Sequence, residues 1–256
     1  MIESGADQSA VLKQRVLGVI PARLASTRLP RKVLREIAGH PMIGWVYRAA
    51  RACPLLDQVL IATDSEEVLS FAQEHSLPAV FTPEDCPSGT DRVHAVAQSI
   101  AADIYVNIQG DEPLLRPEHL EALLAPLARP EVEVATLATD CSADQITNPN
   151  AVKVVTAANG RALYFSRATI PYDRDRTGGV SYRKHLGIYA YRKAALDRFP
   201  TLPHSRLEVI EKLEQLRFLE NGIDVYVSHT PYDTIGVDTE EDFRAVEDLI
   251  LQRQNS

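Results

Sequence analysis

The chain has 256 residues, of which 45% are hydrophobic and 24% charged, a balance that excludes collagen-like, disordered and disulfide-dense chains. Its formal net charge is -8, so the whole-molecule field argues against a nucleic-acid partner, and any anionic ligand requires a local basic pocket. Three cysteines, Cys53, Cys86 and Cys141, are odd in number and match no zinc spacing, which reads as reduced thiols in a cytoplasmic protein. No segment approaches the ~18 apolar residues of a membrane span, and residues 1–14 carry acids without the apolar stretch of a signal peptide. They read as a short flexible tail before a single domain over 15–256.

From Val16 onward, short β-branched runs alternate with amphipathic stretches, the pattern of an α/β sheet. The first half predicts strands over 16–20, 58–62, 79–82 and 104–109 and helices over 41–53, 65–75, 91–100 and 116–127. Glu66 and Glu67 fall in a first helical turn, where the dipole favours acids. Beyond Glu131 the runs 132–139, 152–156, 162–165 and 186–191 predict strands with little helix between them, hence a mixed sheet. Leu207, Ile210, Leu213, Leu216 and Leu219 recur three apart and predict one helix ending at Asn221-Gly222. A strand over 225–227 and a helix over 240–252 close the chain, and 173–183, crowded with Asp, Arg and Gly, reads as a protruding element.

Three segments carry chemistry. The first strand runs into Pro21-Ala22-Arg23-Leu24-Ala25-Ser26-Thr27-Arg28-Leu29-Pro30-Arg31-Lys32, with three arginines, one lysine and no acid before Glu36. Carboxyl ends of strands are where α/β sheets bind ligands, so this positive loop is placed to wrap phosphates; the alternative is a solvated basic loop. Next, the apolar strand ending Val106-Asn107-Ile108-Gln109 meets Gly110 and then Asp111 and Glu112. A hard oxygen ligand there suits Mg²⁺, which takes one or two carboxylates and fills its octahedron with phosphate and water, whereas an Asx-type turn is the structural alternative. Third, Gly236-Val237-Asp238-Thr239 opens the last helix. Asp238 or Thr239 reads as its N-cap, and Asp238 becomes a metal ligand only where the fold sets it beside Asp111.

These segments, taken with Ser88-Gly89-Thr90, the run 148–155 beginning Asn148-Pro149-Asn150, Tyr164-Phe165-Ser166-Arg167, His185-Leu186-Gly187-Ile188-Tyr189 and Leu213-Glu214-Gln215-Leu216-Arg217, resemble the 3-deoxy-manno-octulosonate cytidylyltransferases, the CMP-KDO synthetases. The blocks stand in family order across nearly everything after the tail. The resemblance implies a nucleotide-diphospho-sugar transferase-like fold, a three-layer α/β/α arrangement with a mostly parallel central sheet and a smaller mixed-strand portion. It also implies a Mg²⁺-dependent cytoplasmic homodimer that makes CMP-KDO and pyrophosphate from CTP and 3-deoxy-D-manno-octulosonate (KDO) for lipopolysaccharide synthesis. Carried over by position, Arg23, Ser26 and Lys32 hold the triphosphate, and Asp111 and Asp238 hold Mg²⁺. Ser88, Thr90 and Arg92 line the nucleoside side, and Gln109, Arg167, His185, Tyr189 and Glu214 hold the sugar acid.

Read without the resemblance, His185 is a core or edge histidine and Glu214 a solvated face of its helix. Asp64 reads as a structural sheet-end acid and Trp45 as packing. The sequence departs from the family where Arg31 stands in place of the common Gly, where Asp91 replaces Glu, and where 175–184 is shortened beside the sugar side. An amino-substituted KDO, another sugar acid such as sialate, and a non-catalytic nucleotide-binding protein are the competing readings.

Overall fold

The alternation of the first half becomes strand and helix in turn. In the computed structural model, which describes residues 14–24, 29–176 and 178–254, β1 (Val16–Ala22) precedes a small hairpin, β2 (Glu36–Ile37) and β3 (His40–Pro41). Then come α1 (Met42–Arg51), β4 (Gln58–Thr63), α2 (Glu66–Glu74), β5 (Ala79–Phe81), α3 (Gly89–Ala97), β6 (Ile104–Asn107) and α4 (Pro117–Leu124). The second half holds β7 (Val134–Asp140), α5 (Ala143–Thr147), β8 (Lys153–Thr156), β9 (Ala162–Ser166), β10 (Arg183–Arg192) and α6 (Lys193–Arg198). After these follow α7 (Arg206–Glu211), α8 (Leu216–Glu220), β11 (Val225–His229) and α9 (Glu240–Gln254). The described chain forms two compact units, one of residues 14–121 with 233–254 and one of residues 122–232.

In the first unit the strands lie in the order β6-β1-β4-β5, each pair parallel. Consecutive residues 16–20 of β1 and 59–63 of β4 are all buried. Because successive side chains point to opposite faces, both faces of this sheet are covered, as parallel sheets require. Helices α1 and α3 pack on β1 and β4, and α2 on β4 and β5. The register puts the carboxyl ends of β1, β4 and β6 at one edge, where the basic loop and Gly110-Asp111 emerge. A satellite core of Leu29, Ile37, Met42, Leu114, Val237, Phe243, Val246 and Ile250 fixes the last helix to this end. Trp45 packs against it as a structural residue, its indole N–H donating to the Ile37 carbonyl at 2.8 Å.

The second unit carries a mixed sheet. Strand β7 pairs in parallel with β11 and antiparallel with β10, and β10, β8 and β9 continue antiparallel. Tyr191, Phe199 and Phe218 stack through its core with ring centroids 5.0 to 5.8 Å apart.

The helix expected over Leu207 to Leu219 is corrected by the structure: α7 ends at Glu211, its C-cap Lys212 has a left-handed φ of 55°, and α8 starts at Leu216. At about 100° per residue, positions three apart drift about 60° at each step and spiral round a helix instead of forming one face. Ile210 is accordingly 64% exposed while Leu213 and Leu216 are buried. Arg217 bridges the break, its guanidinium donating to Glu208 at 2.5 and 2.9 Å, with both side chains nearly buried at 7% and 12% exposure. Burial alone would raise the Glu208 pKa, but the Arg217 bonds and charge outweigh it and hold the carboxyl below its ordinary value. Removing one partner strands the other charge, so Arg217→Leu is expected to lower stability by about 3 kcal/mol, measured by urea unfolding. A loss within error would mean that the pair does not join α7 to α8.

Candidate active site

The turn after the basic loop is anchored by Leu29 and Val33, both buried, so the intervening Lys32 is held with only 12% of its side chain exposed. Arg31 N-caps this 3-10 turn with φ 55°, and Leu34 N–H donates to the Arg31 carbonyl at 3.0 Å. Lys32 Nζ donates to Asp111 Oδ2 at 2.7 Å and to Asp238 Oδ1 at 3.0 Å. Burial pulls the Lys32 pKa down, yet the charge and hydrogen bond of Asp111, with those of Asp238, outweigh it and raise the ammonium above its ordinary value.

Two backbone features bring the acids together. Strand β6 ends where a Cβ on Gly110 would lie 2.9 Å from the Pro21 carbonyl oxygen, so only glycine lets the Asp111 turn pass this close to β1. Val237 N–H then donates to the Asp111 carbonyl at 2.9 Å, which puts Asp238 next in line beside Asp111. The capping alternative for Asp238 is met by its neighbours. Asp242 N–H donates to Thr239 Oγ1 at 3.1 Å, and Asp242 Oδ2 accepts from the backbone N–H groups of Asp238 and Thr239. Thr239 caps α9, and the Asp238 carboxylate is left to face Lys32.

The other residues expected on the nucleotide side divide. Arg23, at the end of β1, donates to the Cys86 carbonyl. Ser26 lies outside the described residues. Ser88 caps α3, accepting from Asp91 N–H at 3.1 Å and donating to Asp91 Oδ2 at 2.7 Å, so the Asp at 91 completes a short cap. Thr90 is buried on the first turn, and Arg92 is wholly buried, its guanidinium donating to Asp64 and to the Thr82 hydroxyl. Asp64 is thus the structural acid that the sequence suggests, and Arg92 ties the end of β4 to the strand-end Thr82 from beneath the surface. Gln109 is half-buried just beyond β6. Asn107, not singled out by sequence reasoning, is buried with Oδ1 unpartnered, its Nδ2 being 3.4 Å from where a Cβ on Gly89 would sit. Only its place beside Gly-Thr on the neighbouring helix marks it, and that is invisible in linear spacing.

In the second unit, His185, Tyr189 and Tyr191 form a row with centroids 5.5 and 5.8 Å apart. Burial, with the Lys184 charge adding to it, pushes the His185 pKa down to about 3, so the ring is neutral. Burial, then Tyr191 and Glu214, raises Tyr189 well above the ordinary phenol value. Glu214 lies in the turn between α7 and α8, where its carbonyl accepts from Arg217 N–H at 3.0 Å. Arg167 joins a different group: Nε donates to the Glu211 carbonyl at 2.7 Å and an Nη to the Pro149 carbonyl at 3.0 Å. It thereby satisfies a carbonyl at the C-terminus of α7, a favourable place for a cation.

Among the described residues no group of three or more His, Cys, Asp or Glu side chains is arranged to hold a metal. Asp111 and Asp238 nevertheless fit Mg²⁺. Both present hard oxygens to one small cationic group, and this metal draws its remaining ligands from phosphate and water. No helix of the described residues is long and apolar enough to cross a membrane.

A family model described as Cytidylyltransferase matches residues 17–225. The 3-deoxy-manno-octulosonate cytidylyltransferase of Acidobacterium capsulatum is 74% identical over 239 residues, covering 93% of this chain and 98% of its own. That of Koribacter versatilis is 59% identical, covering 93% of this chain and 91% of its own. Among solved structures, a CMP:2-keto-3-deoxy-manno-octonic acid synthetase complexed with CTP aligns with a TM-score of 0.90 at 42% identity, covering 93% of this chain and 99% of that one.

The left-handed Arg31 explains why glycine suits this position: a Cβ in that conformation costs roughly 1 kcal/mol. Its guanidinium pairs with Glu67 at the surface, a contact worth at most about 1 kcal/mol. Arg31→Ala keeps the Cβ and loses the pair, so it is expected to be about 1 kcal/mol less stable than Arg31→Gly in parallel urea titrations. Equal midpoints would mean that the turn carries no left-handed strain.

Proposed function

The chain belongs to the 3-deoxy-manno-octulosonate cytidylyltransferases, and from that membership we propose how its own residues divide the reaction. The enzyme transfers CMP from CTP to the anomeric hydroxyl of KDO, giving CMP-KDO and pyrophosphate and so activating KDO for lipopolysaccharide synthesis. The hydroxyl oxygen bonds to the α-phosphorus, the bond to the β-phosphate oxygen breaks, pyrophosphate departs with that electron pair, and the hydroxyl proton is released. Little covalent chemistry falls to the protein in such a step. Its task is to position the groups and to stabilise charge spread over phosphate oxygens.

The observation that carries this assignment is Lys32 Nζ within 2.7 Å of Asp111 and 3.0 Å of Asp238. An ammonium has three N–H donors; two are engaged by the carboxylates, and the third is available to a phosphate oxygen. With its pKa raised, Lys32 keeps its charge throughout the neutral range. Arg23 and Ser26 join it on the triphosphate, Arg23 by paired N–H donors. Ser88 and Thr90 border the nucleoside, and Arg92 holds their surroundings in place. Asp111 and Asp238 are the carboxylates that would hold Mg²⁺. When bound, Mg²⁺ supplies positive charge to the phosphates and lowers the pKa of a coordinated hydroxyl. For the sugar acid, Arg167 meets the carboxylate, and Gln109, His185, Tyr189 and Glu214 meet the hydroxyls.

We further infer a cytoplasmic homodimer, with residues 15–256 working as one nucleotidyltransferase module. Three free thiols support the compartment. Exposed Leu163, Val209 and Ile210 in the second unit give a second copy apolar surface to cover.

A pyrophosphate-release assay crossing CTP, UTP and dTTP with KDO, its amino analogue and sialic acid is expected to respond to CTP with KDO. A preference for sialic acid would overturn the substrate reading. In the same assay Lys32→Ala is expected to lower kcat by about a hundredfold or more while circular dichroism and Tm persist; wild-type turnover would remove Lys32 from the mechanism. Asp111→Asn is expected to abolish Mg²⁺-dependent release, and full activity would move the metal to other donors.

A further inference from the structure

His185 lies where β10 departs from regular pairing. Leu186 is opposite Leu137 of β7, but the next matched residue, Thr136, is opposite Tyr189, so the register with β7 shifts at Gly187 and Ile188. This bulge turns two β10 carbonyls toward the Thr136 side chain: Thr136 Oγ1 lies 2.8 Å from the Ile188 carbonyl oxygen and 3.2 Å from that of Leu186. The same hydroxyl lies 3.0 Å from His185 Nε2. Thr136 is fully buried, so these are its partners.

A hydroxyl has one proton and two lone pairs, and a carbonyl can only accept. The Thr136 proton is therefore committed to the carbonyls, with the 2.8 Å contact to Ile188 the better one. Facing Nε2, the hydroxyl oxygen has only a lone pair to offer. A bare Nε2 lone pair at 3.0 Å would repel it in a buried setting, so Nε2 carries the proton and donates to Thr136. The ring is neutral, so Nδ1 must then be a lone pair. Nδ1 has no hydrogen-bond partner among the described residues, so it is the ring nitrogen left to accept a hydrogen bond, on a residue that is 9% exposed overall. Phe165, edge-on at 5.0 Å, and Tyr189 at 5.5 Å fix the plane of the imidazole.

We propose that Thr136 is a positioning residue for sugar-acid binding: through the β10 bulge it locks His185 as the Nε2–H tautomer, so that Nδ1 accepts a hydrogen bond from a hydroxyl of the sugar acid. This rests on the assignment of His185 to the sugar-acid side. A lone pair at Nδ1 repels a carboxylate and welcomes an O–H donor. The tautomer thus assigns the substrate's acid group to Arg167 and a hydroxyl to His185, and it disfavours analogues in which that hydroxyl is replaced by an acceptor-only group.

The first test reads the tautomer in the wild-type enzyme: ¹⁵N spectra of histidine-labelled protein at neutral pH, with His185 assigned by its disappearance in His185→Gln. A protonated Nε2 and an unprotonated Nδ1 are expected; the reverse tautomer or an imidazolium would overturn the proposal. The second compares KM values. Thr136→Val, which keeps the shape and deletes the hydroxyl, is expected to raise KM for KDO about tenfold with KM for CTP unchanged, and Thr136→Ser is expected to restore it. If His185→Gln raises KM for KDO while Thr136→Val does not, the proposal fails alone. If His185→Gln leaves KM for KDO unchanged, the assignment of His185 to the sugar acid fails with it. Should Thr136→Val not fold, the wild-type spectrum and Thr136→Ser still decide.

Discussion

Lys32 donates to Asp111 and to Asp238 at once, and the unusual features of the surrounding turns serve that convergence. Two carboxylates aimed at one point repel each other unless a cation lies between them, so the arrangement has to be built from rigid parts. Gly110 lets one turn pass against the β1 backbone, the Val237 to Asp111 backbone hydrogen bond splices the other turn to it, and buried Val237 locks the splice into the satellite core. Arg31 accepts a left-handed backbone so that the lysine can emerge between Leu29 and Val33. Thr239 and Asp242 take over helix capping, which releases Asp238 from the structural task that its position would otherwise give it.

Much of this could be read from the residues, and the rest could not for definable reasons. Continuous apolar runs located β1, β4 and β6, which are buried on both faces, and helical periodicity located α1 and α2, which each bury one face. The abrupt end of β6 in Gly110-Asp111 was visible because a glycine followed by acids interrupts an apolar run. The α7–α8 break was hidden: the left-handed residue there is Lys212 instead of a glycine, and an evenly spaced leucine series resembles a helical stripe until its drift is counted. The hairpin β2–β3 was equally silent, since Ala38 supplies one of its positive φ angles. The meeting of Asp111 and Asp238 depends on a backbone bond between distant turns, and no spacing rule encodes that.

Burial of Arg92 teaches the limits of carrying a role over by position. The resemblance places it, after Ser88-Gly89-Thr90, on the expected nucleoside side, yet its guanidinium donates inward to Asp64 and Thr82. A residue that shapes a ligand edge and one that touches the ligand leave the same trace in a linear motif. Only exposure separates them.

Three further basic groups, Lys32, Lys153 and His185, show how the chemistry of the partner acts with burial to decide the state of each. Lys32 and Lys153 are both desolvated, but their pKa values move in opposite directions. The carboxylates of Asp111 and Asp238 overcome the cost of burying Lys32 and keep its positive charge fixed. Lys153 donates to the carbonyls of Asn148, Ala151 and Arg167, at 2.8, 2.5 and 2.9 Å, and these dipoles leave desolvation as the largest influence. It serves as a strut joining the 148–151 turn to the backbone at Arg167. His185 goes further: burial, with the Lys184 charge adding to it, leaves the ring neutral, and its partner is a hydroxyl that does not restore the charge. In a chain of net charge -8, the acids around Lys32 thus preserve its charge, whereas carbonyl and hydroxyl partners leave Lys153 and His185 to the pull of desolvation.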